Sequence, residues 1–383
     1  MKIIVNIARV LVGCLFIFSG LVKAIDPLGL AYKMQEFFEV WAASGYLKGM
    51  MDLLYDQALL FSVLMIALEV LLGVALLLGW RLKPVSWFLL ALTLFFTFLT
   101  SYVLFSGKIR ACGCFADCIP LTPVQTFTKD LVLLLLVLII LLFGRYITPL
   151  FSPKVNGWLV MGSLLAVAGL QWYVLRHLPV VDCLPFRSGN NILELRKMPK
   201  DAVPDKYDYV FVYSKNGEKK EFRVNALPDS TWVFVERKQT LVQKGKNNIP
   251  LINDFILKTQ DGTDTTEAIL NTPGTYYLLF IKDFPGAKAW RATTDYMRRR
   301  WKDIPHFIVT AQPVLMDSLF RKEKDHAHVA IVSCDGVAIK TAARANPTLY
   351  QMNGPVIVHK WSWVDFDRIK LIGGFKSLND TFK

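Results

Sequence analysis

Five long apolar runs near the start of the chain constrain its fold more than any other feature of the sequence. Each run is about 20 residues long, which is the length that a helix needs to cross the hydrocarbon core of a bilayer. The runs are Ile3–Ile25, Leu59–Leu78, Val85–Phe105, Val124–Phe143 and Trp158–Leu175. We therefore predict a membrane all-α helical bundle, with about five transmembrane helices, over residues 1–176.

Two stretches near the first run need separate interpretations. The stretch from Pro27 to Gln57 is too polar to span a bilayer but is rich in aromatic residues, which predicts an amphipathic helix at the membrane interface. The first run contains Leu11-Val12-Gly13-Cys14, which is similar to a lipoprotein cleavage box. Because Arg9 interrupts this run and apolar residues continue past Cys14, we predict a retained helix in which Cys14 is a small buried residue.

The second half of the chain has the polarity of an ordinary soluble domain. We predict a connector and a small β-rich segment over residues 177–251, with a hairpin turn at Asn216-Gly217. From residue 252 to residue 383 strands and helices alternate, beginning with a strand at 254–257, which predicts a soluble α/β domain.

The order of these elements resembles the thioredoxin-like fold. Pro347 stands at the place where that fold carries its cis-proline. A thioredoxin has Cys-x-x-Cys after the strand that corresponds to residues 276–282, whereas this chain has Asp-Phe-Pro-Gly at 283–286. Because disulfide exchange needs a thiolate there, we predict a thioredoxin-like domain lacking the redox dithiol.

Cysteines provide the strongest chemical motif. The chain has six of them: Cys14, Cys112, Cys114, Cys118, Cys183 and Cys334. A disulfide within Cys-x-Cys closes a small, strained and easily reduced ring, so Cys112 and Cys114 are the predicted catalytic pair. Two alternatives stay open: a static disulfide from one of this pair to Cys118 or Cys183, and a metal site made of all four thiolates. Cys334 is predicted to be a structural free thiol.

The number of crossings places the two halves of the chain relative to the membrane. Two predicted spans separate the cysteine loop, Ser106 to Pro123, from the C-terminal half, so both must lie on one side. The short connections Arg81–Lys83 and Arg145–Lys154 are basic and contain no acid, which predicts that they are cytoplasmic. We therefore predict a multi-pass protein of the bacterial inner (cytoplasmic) membrane whose C-terminal domain is periplasmic.

Charged residues inside the predicted spans form a second signal. Glu69 lies in the middle of a span, where an unpaired carboxylate is costly, and Arg9 and Lys23 on the first helix are its candidate partners. Such a pair either assembles helices or takes part in proton- or quinone-linked chemistry. The net charge of +13 is spread over both halves, so we predict the lipid bilayer, and no nucleic acid, as a partner.

Three motifs together resemble the DoxX/MauE-like membrane protein family. The segment Phe18-Ser19-Gly20-Leu21-Val22-Lys23 is similar to the DoxX-type signature. Glu69-Val-Leu-Leu-Gly73 followed by Arg81, and Cys112-Gly113-Cys114-Phe115 before residues 125–130, are similar to MauE. The resemblance covers roughly residues 5–147. It implies an inner-membrane bundle in thiol or electron chemistry, because MauE is linked to maturation of methylamine dehydrogenase and DoxX to quinone reduction.

The resemblance also has consequences for cofactors, partners and cysteine pairing. It implies a quinone as the cofactor and a periplasmic client protein or redox partner. This chain has Ala116 where many relatives have glycine, Cys118 is an addition, and Cys183 stands where relatives have an aromatic residue. The comparison therefore implies a disulfide between Cys118 and Cys183. The function expected is assistance in periplasmic thiol–disulfide or quinone-linked electron transfer or protein maturation, and the alternative is a non-enzymatic assembly or anchoring protein.

Overall fold

The structure, a computed structural model, describes most of the chain. It describes residues 1–45, 47–109, 113, 118–243, 245, 247–284, 294, 304–321 and 330–366. The N-terminal half contains seven helices among these residues: α1 (Lys2–Ile25), α2 (Pro27–Ala43), α3 (Lys48–Asp56), α4 (Ala58–Leu78), α5 (Leu82–Ser106), α6 (Pro123–Phe143) and α7 (Pro153–Arg176).

Five of these helices are long and apolar enough to cross a membrane, namely α1, α4, α5, α6 and α7. Their outward faces expose large apolar side chains: Ile3 is 75% exposed, and Phe105 and Trp158 are each 77% exposed. A soluble protein rarely leaves so much apolar surface in water, whereas lipid tails can cover it. The chain is therefore a multi-pass membrane protein, and the five predicted spans are confirmed to within a few residues.

Small residues bring α1 and α4 into close contact. A Cβ atom built on Gly13 would lie 2.5 Å from the Leu77 side chain, and one built on Gly73 would lie 2.9 Å from the Gly13 carbonyl oxygen. Small residues allow close helix approach in membranes, where burial of apolar side chains adds little to association. Farther along the same face, Gly20 meets Val70 and the Glu69 side chain, so the two helices stay close along most of their length.

The predicted interfacial stretch forms two helices, α2 and α3. Asp26 ends α1 and begins α2, because its carboxylate accepts a hydrogen bond from the backbone N–H of Gly29. Pro27 at the first position of α2 has no backbone N–H to leave unsatisfied. The sharp turn at Asp26 therefore sends α2 away from the axis of α1, and Phe37 on α2 is buried against α5 with Leu99 and Val103.

A small antiparallel sheet follows the membrane helices and a short helix, α8 (Ile192–Leu195). Its strands are β1 (Lys206–Lys215), β2 (Glu218–Arg223) and β3 (Val233–Gln243), arranged in the order β2-β1-β3. Asn216 and Gly217 both have positive φ angles, of 52° and 88°, as a two-residue hairpin turn requires. The predicted hairpin is confirmed.

The C-terminal α/β domain is built on a five-stranded sheet. Its elements are α9 (Thr266–Leu270), β4 (Thr275–Ile281), β5 (His306–Thr310), α10 (Pro313–Arg321), β6 (Ala330–Ser333), α11 (Gly336–Ala342), β7 (Thr348–Asn353) and β8 (Val356–Ser362). The strand order is β6-β5-β4-β7-β8. Strands β4, β5 and β6 are mutually parallel, and β7 is antiparallel to both of its neighbours, β4 and β8. The Asn346–Pro347 peptide bond is cis. The predicted α/β class is confirmed.

Three details of the second half differ from the sequence prediction or lie outside it. The predicted strand at 254–257 is wrong: Asp254 has a φ of 58°, which breaks an extended run, and Lys258 makes only isolated bridges to Asp264 and Ser333. Helix α11 is not predicted by the sequence pattern; the Asp335 carboxylate begins it by accepting two backbone N–H bonds. The alternation of strands and helices also predicts a helix at 287–301 and a final helix that begins near Asp365, and both lie largely outside the described residues.

The connector is structurally part of the α/β domain. Phe186 and Ile192 are buried in the same hydrophobic core as Phe280 and Tyr350. The backbone N–H of Ile192 also bonds to the carbonyl of Pro355, beside β8. The chain that leaves α7 is therefore anchored in the domain core, which restricts how far the domain can move from the membrane helices.

Candidate functional site

The centre of the candidate site is a buried ion pair between α1 and α4. Lys23 Nζ lies 2.5 Å from Glu69 Oε1, and the two side chains are 3% and 1% exposed. Ser19 Oγ donates a hydrogen bond of 3.2 Å to Glu69 Oε2. A carboxylate in a membrane span is tolerated when it is paired and hydrogen-bonded, as here. The close packing of Gly20 on α4 brings Ser19 and Lys23 to Glu69.

The other candidate partner of Glu69 does not contact it. Arg9 donates three hydrogen bonds from its guanidinium to the backbone carbonyls of Leu76 (3.0 Å), Leu77 (2.5 Å) and Thr148 (3.2 Å). These carbonyls lie at the C-terminal end of α4 and in the connection after α6, where carbonyls have no partner within a helix. The expectation that Arg9 pairs with Glu69 is therefore wrong, because three backbone carbonyls near the end of α4 accept from its guanidinium instead.

An apolar cavity of about 290 Å³ lies beside the ion pair. Its volume is near the lower end of the range for small-molecule sites, about 300–1,000 Å³. Lys23 lines it, and its ammonium also lies 4.7 Å from the centroid of the Phe96 ring. Aromatic rings from α2, α4 and α5 form much of the wall: Phe37, Phe38, Trp41, Phe61, Phe95 and Phe96. No pattern in the sequence predicts this cavity.

The cysteine loop reaches the same cavity. Gly113, which stands between Cys112 and Cys114 in the sequence, lines it together with Lys33 of α2. Gly113 has a φ of 73°, and a Cβ atom built on it would lie 3.3 Å from the Lys33 Cγ, so both backbone and space favour glycine. Cys112 and Cys114 themselves lie outside the described residues.

Cys118 and Cys183 are joined in a disulfide. Since the first belongs to the loop after α5 and the second follows α7, the loop and the C-terminal half lie on one side of the bundle, as the count of crossings predicts. Cysteines in a disulfide are not thiolate ligands, so a metal site of four thiolates cannot form around this bond.

The two remaining cysteines have simple surroundings. Cys14 is exposed, so the expectation that it is buried is wrong: the face of α1 that packs against α4 carries Gly13 and Gly20. Cys334 is free and buried, and burial raises the pKa of its thiol to about 12, which makes it a poor nucleophile.

A second buried carboxylate lies between α5 and α6. Asp130 is 1% exposed; it accepts a hydrogen bond of 3.0 Å from Thr100 Oγ1 and forms an ion pair of 2.5 Å with Lys129. Asp130 is not among the site residues predicted from the sequence. Asp130 follows Thr126 by four residues and precedes Leu133 by three, and all three are buried on one face of α6. This helical spacing could have identified Asp130 from the sequence.

The α/β domain contacts the membrane half through α2 and the residue before it. Asp26 and Arg344 form an ion pair, with Arg344 Nε 2.8 Å from Asp26 Oδ2. Lys282 Nζ, at the end of β4, donates hydrogen bonds of 3.2 Å to Tyr32 Oη and to the Arg344 carbonyl. Because Tyr32 and Lys33 are neighbours on α2, this helix connects the domain with the cavity.

Burial at this contact changes two pKa values. Burial, with the nearby Arg344 guanidinium as a second cause, lowers the pKa of Lys282 to about 8. Burial also raises the pKa of Tyr32 to about 12, so its hydroxyl stays protonated and can donate as well as accept hydrogen bonds. The contact is therefore polar and sensitive to the protonation of Lys282.

These features define a class: a multi-pass membrane protein with an α/β domain that contacts the helix after the first span. In comparisons with known proteins, the family model of the methylamine utilisation protein MauE matches residues 1–144, which include α1 to α6 and the cysteine loop. A model of a domain of unknown function, DUF8463, matches residues 207–244, the sheet of β1 to β3.

A curated protein, Protein TlpB of Flavobacterium psychrophilum, is 30% identical over 164 residues, which are 41% of this chain and 41% of that protein. The chain therefore spans well under half the length of this relative. No solved structure matches the chain.

Proposed function

We propose that this protein carries out quinone-linked thiol oxidation at the membrane. Cys112 and Cys114 are the reacting thiols, and a lipid-soluble quinone is the electron acceptor. The observation that carries the proposal is that Gly113, the residue between the two cysteines, lines the same apolar cavity as Lys23. A quinone is a flat, apolar ring with two carbonyl oxygens, which suits a cavity of aromatic rings with one charged donor.

The reaction balances without a further reactant. The two thiols lose two electrons and two protons and form a disulfide, and the quinone takes up both and becomes a hydroquinone. The Lys23 ammonium can donate a hydrogen bond to a quinone carbonyl oxygen, where negative charge develops during reduction. Glu69 forms an ion pair with Lys23 and holds its side chain in place. The disulfide that Cys112 and Cys114 form is then reduced by thiols of a periplasmic client protein.

Orientation and the role of the C-terminal domain belong to the same proposal. The basic connections after α4 and α6 face the cytoplasm of a bacterium, and the cysteine loop and the α/β domain face the periplasm. The strand order and the cis peptide before Pro347 support a thioredoxin-like origin for the domain. Because its Lys282 end contacts α2, the domain positions the cavity wall in this proposal and performs no thiol chemistry of its own.

The alternative is a non-enzymatic assembly or anchoring protein. The contacts between the domain and α2, and the lack of a thiol at 283–286, favour it. In that case the Lys23–Glu69 pair only holds α1 against α4. The DoxX/MauE-like motifs are compatible with both functions, because many maturation proteins act without chemistry of their own.

One experiment separates the two functions. The full-length protein is reconstituted in liposomes with a dithiol and a short-chain ubiquinone, and hydroquinone formation is followed by absorbance. We expect turnover in the wild type, its loss in the variant C112S/C114S, and retention in C14S, which alters an exposed thiol outside the site. Equal turnover in wild type and C112S/C114S would leave only the anchoring function.

A second measurement tests the acceptor site alone. Trp41 lines the cavity, so a bound quinone should quench its fluorescence. We expect saturable quenching in the wild type that is smaller in Trp41→Phe, and no such difference for Trp158→Phe, which replaces an exposed ring at the other end of the bundle. Quenching that never saturates would contradict a quinone site.

A further inference from the structure

The end of the bundle opposite the cysteine loop contains a second cavity. It is open and has a volume of about 640 Å³, and it lies between the connection from α4 to α5 and the start of α7. Arg81 and Lys154 supply two cations to its wall, and Trp80 and Trp158 supply two indole rings. No proposed step of thiol chemistry uses this cavity, so its function is a separate question.

The cavity is built for an anion. No Asp or Glu occurs in residues 79–83 or 144–158, the two segments that frame it. Helices α5 and α7 both begin here, at Leu82 and Pro153, and the N-terminus of a helix attracts negative charge through its free N–H groups. Arg81 stacks on Trp80, with its guanidinium carbon 5.2 Å from the ring centroid. Stacking orients its N–H donors without neutralising the charge.

A buried amide in the cavity wall has an acceptor atom without a partner among the described residues. Asn156, which lines the cavity, is 1% exposed. Its Nδ2 donates to the carbonyls of Phe151 (3.1 Å) and Leu78 (3.5 Å), while its Oδ1 has no hydrogen-bond partner among the described residues. A buried acceptor without a partner is costly, so a hydroxyl donor at this place would be stabilised.

We propose that this cavity binds the headgroup of an anionic, hydroxyl-bearing glycerophospholipid of the phosphatidylglycerol type. The phosphate lies between Arg81 and Lys154, and a headgroup hydroxyl donates to Asn156 Oδ1. Trp80 and Trp158 contact the glycerol and upper acyl region, where indoles are common at membrane interfaces. An ethanolamine or choline headgroup would bring its own cation towards Arg81 and Lys154 and is disfavoured. Basic pockets between membrane helices bind anionic lipid headgroups in this way.

The test measures lipid binding to the full-length protein by native mass spectrometry in detergent. Dioleoyl-phosphatidylglycerol is compared with the phosphatidylcholine and phosphatidylethanol of the same chains; the last has the same charge but no headgroup hydroxyl. We expect phosphatidylglycerol to bind best. We expect the variant R81Q/K154Q to lose about tenfold or more of that affinity, because it removes both cations that face the lipid phosphate.

The matched control is K83Q/R145Q, which removes two exposed cations from the same connections but from outside the cavity wall. Its affinity should stay within about twofold of wild type. Equal losses in both double variants would overturn the proposal in favour of general surface charge. If phosphatidylethanol binds as well as phosphatidylglycerol, the role of Asn156 is overturned. If phosphatidylcholine binds equally well, the charge selectivity is overturned. Competition by millimolar glycerol 1-phosphate alone would show a site for free phosphate rather than for lipid.

Discussion

Helix α1 carries two buried cations that meet the membrane in different ways. Arg9 and Lys23 lie about 21 Å apart along the helix at 1.5 Å per residue. Arg9 donates to three backbone carbonyls and is not among the residues that line either of the two cavities described above. Lys23 has one carboxylate partner and lines an apolar cavity. Each cation lies in a region of low dielectric constant. Backbone carbonyls stabilise the charge of Arg9, whereas Lys23 is stabilised by an ion pair that a ligand in the cavity can approach.

This difference predicts different roles for Arg9 and Lys23, the first in stability alone and the second also in the proposed thiol oxidation. A guanidinium that donates to three backbone carbonyls holds helices together. An ammonium beside a cavity keeps donors that a ligand can accept from. The Arg9 end is therefore expected to contribute stability alone, and the Lys23 end stability and function together.

The largest effect is expected at the Lys23 end. Glu69→Ala leaves Lys23 buried without its carboxylate and should destabilise the protein by about 3–5 kcal/mol. The double variant Lys23→Met/Glu69→Leu removes both charges and should recover most of that stability, yet lose the quinone-linked turnover. Unfolding in a denaturing detergent series measures the first effect and the liposome assay the second. Full turnover in the double variant would mean that this pair is as purely structural as Arg9.

The next prediction tests whether the α/β domain is coupled, through its docking on α2, to the Lys23 end of α1. Burial lowers the pKa of Lys282 from 10.5 to about 8, so between these pH values the undocked state binds more protons than the docked state. Docking on α2 should therefore strengthen as the pH rises from about 8 to 10.5, by at most about 3 kcal/mol because contacts within the domain cause part of the shift, and the gain is lost as the pH falls from 10.5 to 8.

Energy transfer between dyes on α3 and α11 would report docking in mild denaturant. The wild type should show the pH dependence, and Lys282→Met should show little over the same range. An identical pH response in both proteins would show that groups other than Lys282 cause it. The contact of Lys282 with α2 would then not control docking of the domain.

A smaller effect is expected from Arg9→Lys. Lysine keeps the charge but, as a compact point donor, cannot reach three carbonyls with the geometry of a guanidinium. Stability should fall by about 2 kcal/mol, the scale of a lost charged hydrogen bond, while turnover per folded molecule stays unchanged. Lys2→Arg, a change at an exposed position of the same helix, is the control. A loss of turnover at equal folded fraction would show that the Arg9 end also serves the chemistry.

The smallest effect is expected from Asp26→Asn. The asparagine side chain can still accept from Gly29 and begin α2, but it no longer pairs with the Arg344 guanidinium. Docking of the domain should weaken by about 1–2 kcal/mol. The control is Lys197→Gln, whose ion pair with Glu194 is exposed and local. If both variants dock equally, the Asp26–Arg344 contact does not connect the domain to the Lys23 end.

Much of the fold could be predicted because it depends on local patterns. The spans follow from runs of apolar residues, and the hairpin at Asn216-Gly217 follows from a turn that needs two positive φ angles. The prediction of a strand at 254–257 failed because Asp254 adopts a left-handed conformation, which the hydrophobic pattern of the sequence does not indicate. The cavity could not be predicted, because its wall comes from several helices and a loop.

The sequence by itself determined how often the chain crosses the membrane and that the cysteine loop and the C-terminal half share one side. Hydrophobicity decides this locally, since each span must bury its own backbone polar groups in lipid. Only the tertiary structure decided that Lys23 and not Arg9 meets Glu69, 46 residues away, and that Arg344 meets Asp26, 318 residues away. Such pairings depend on which faces of the helices contact each other, and small residues such as Gly20, whose effect appears only when two backbones approach, set those contacts.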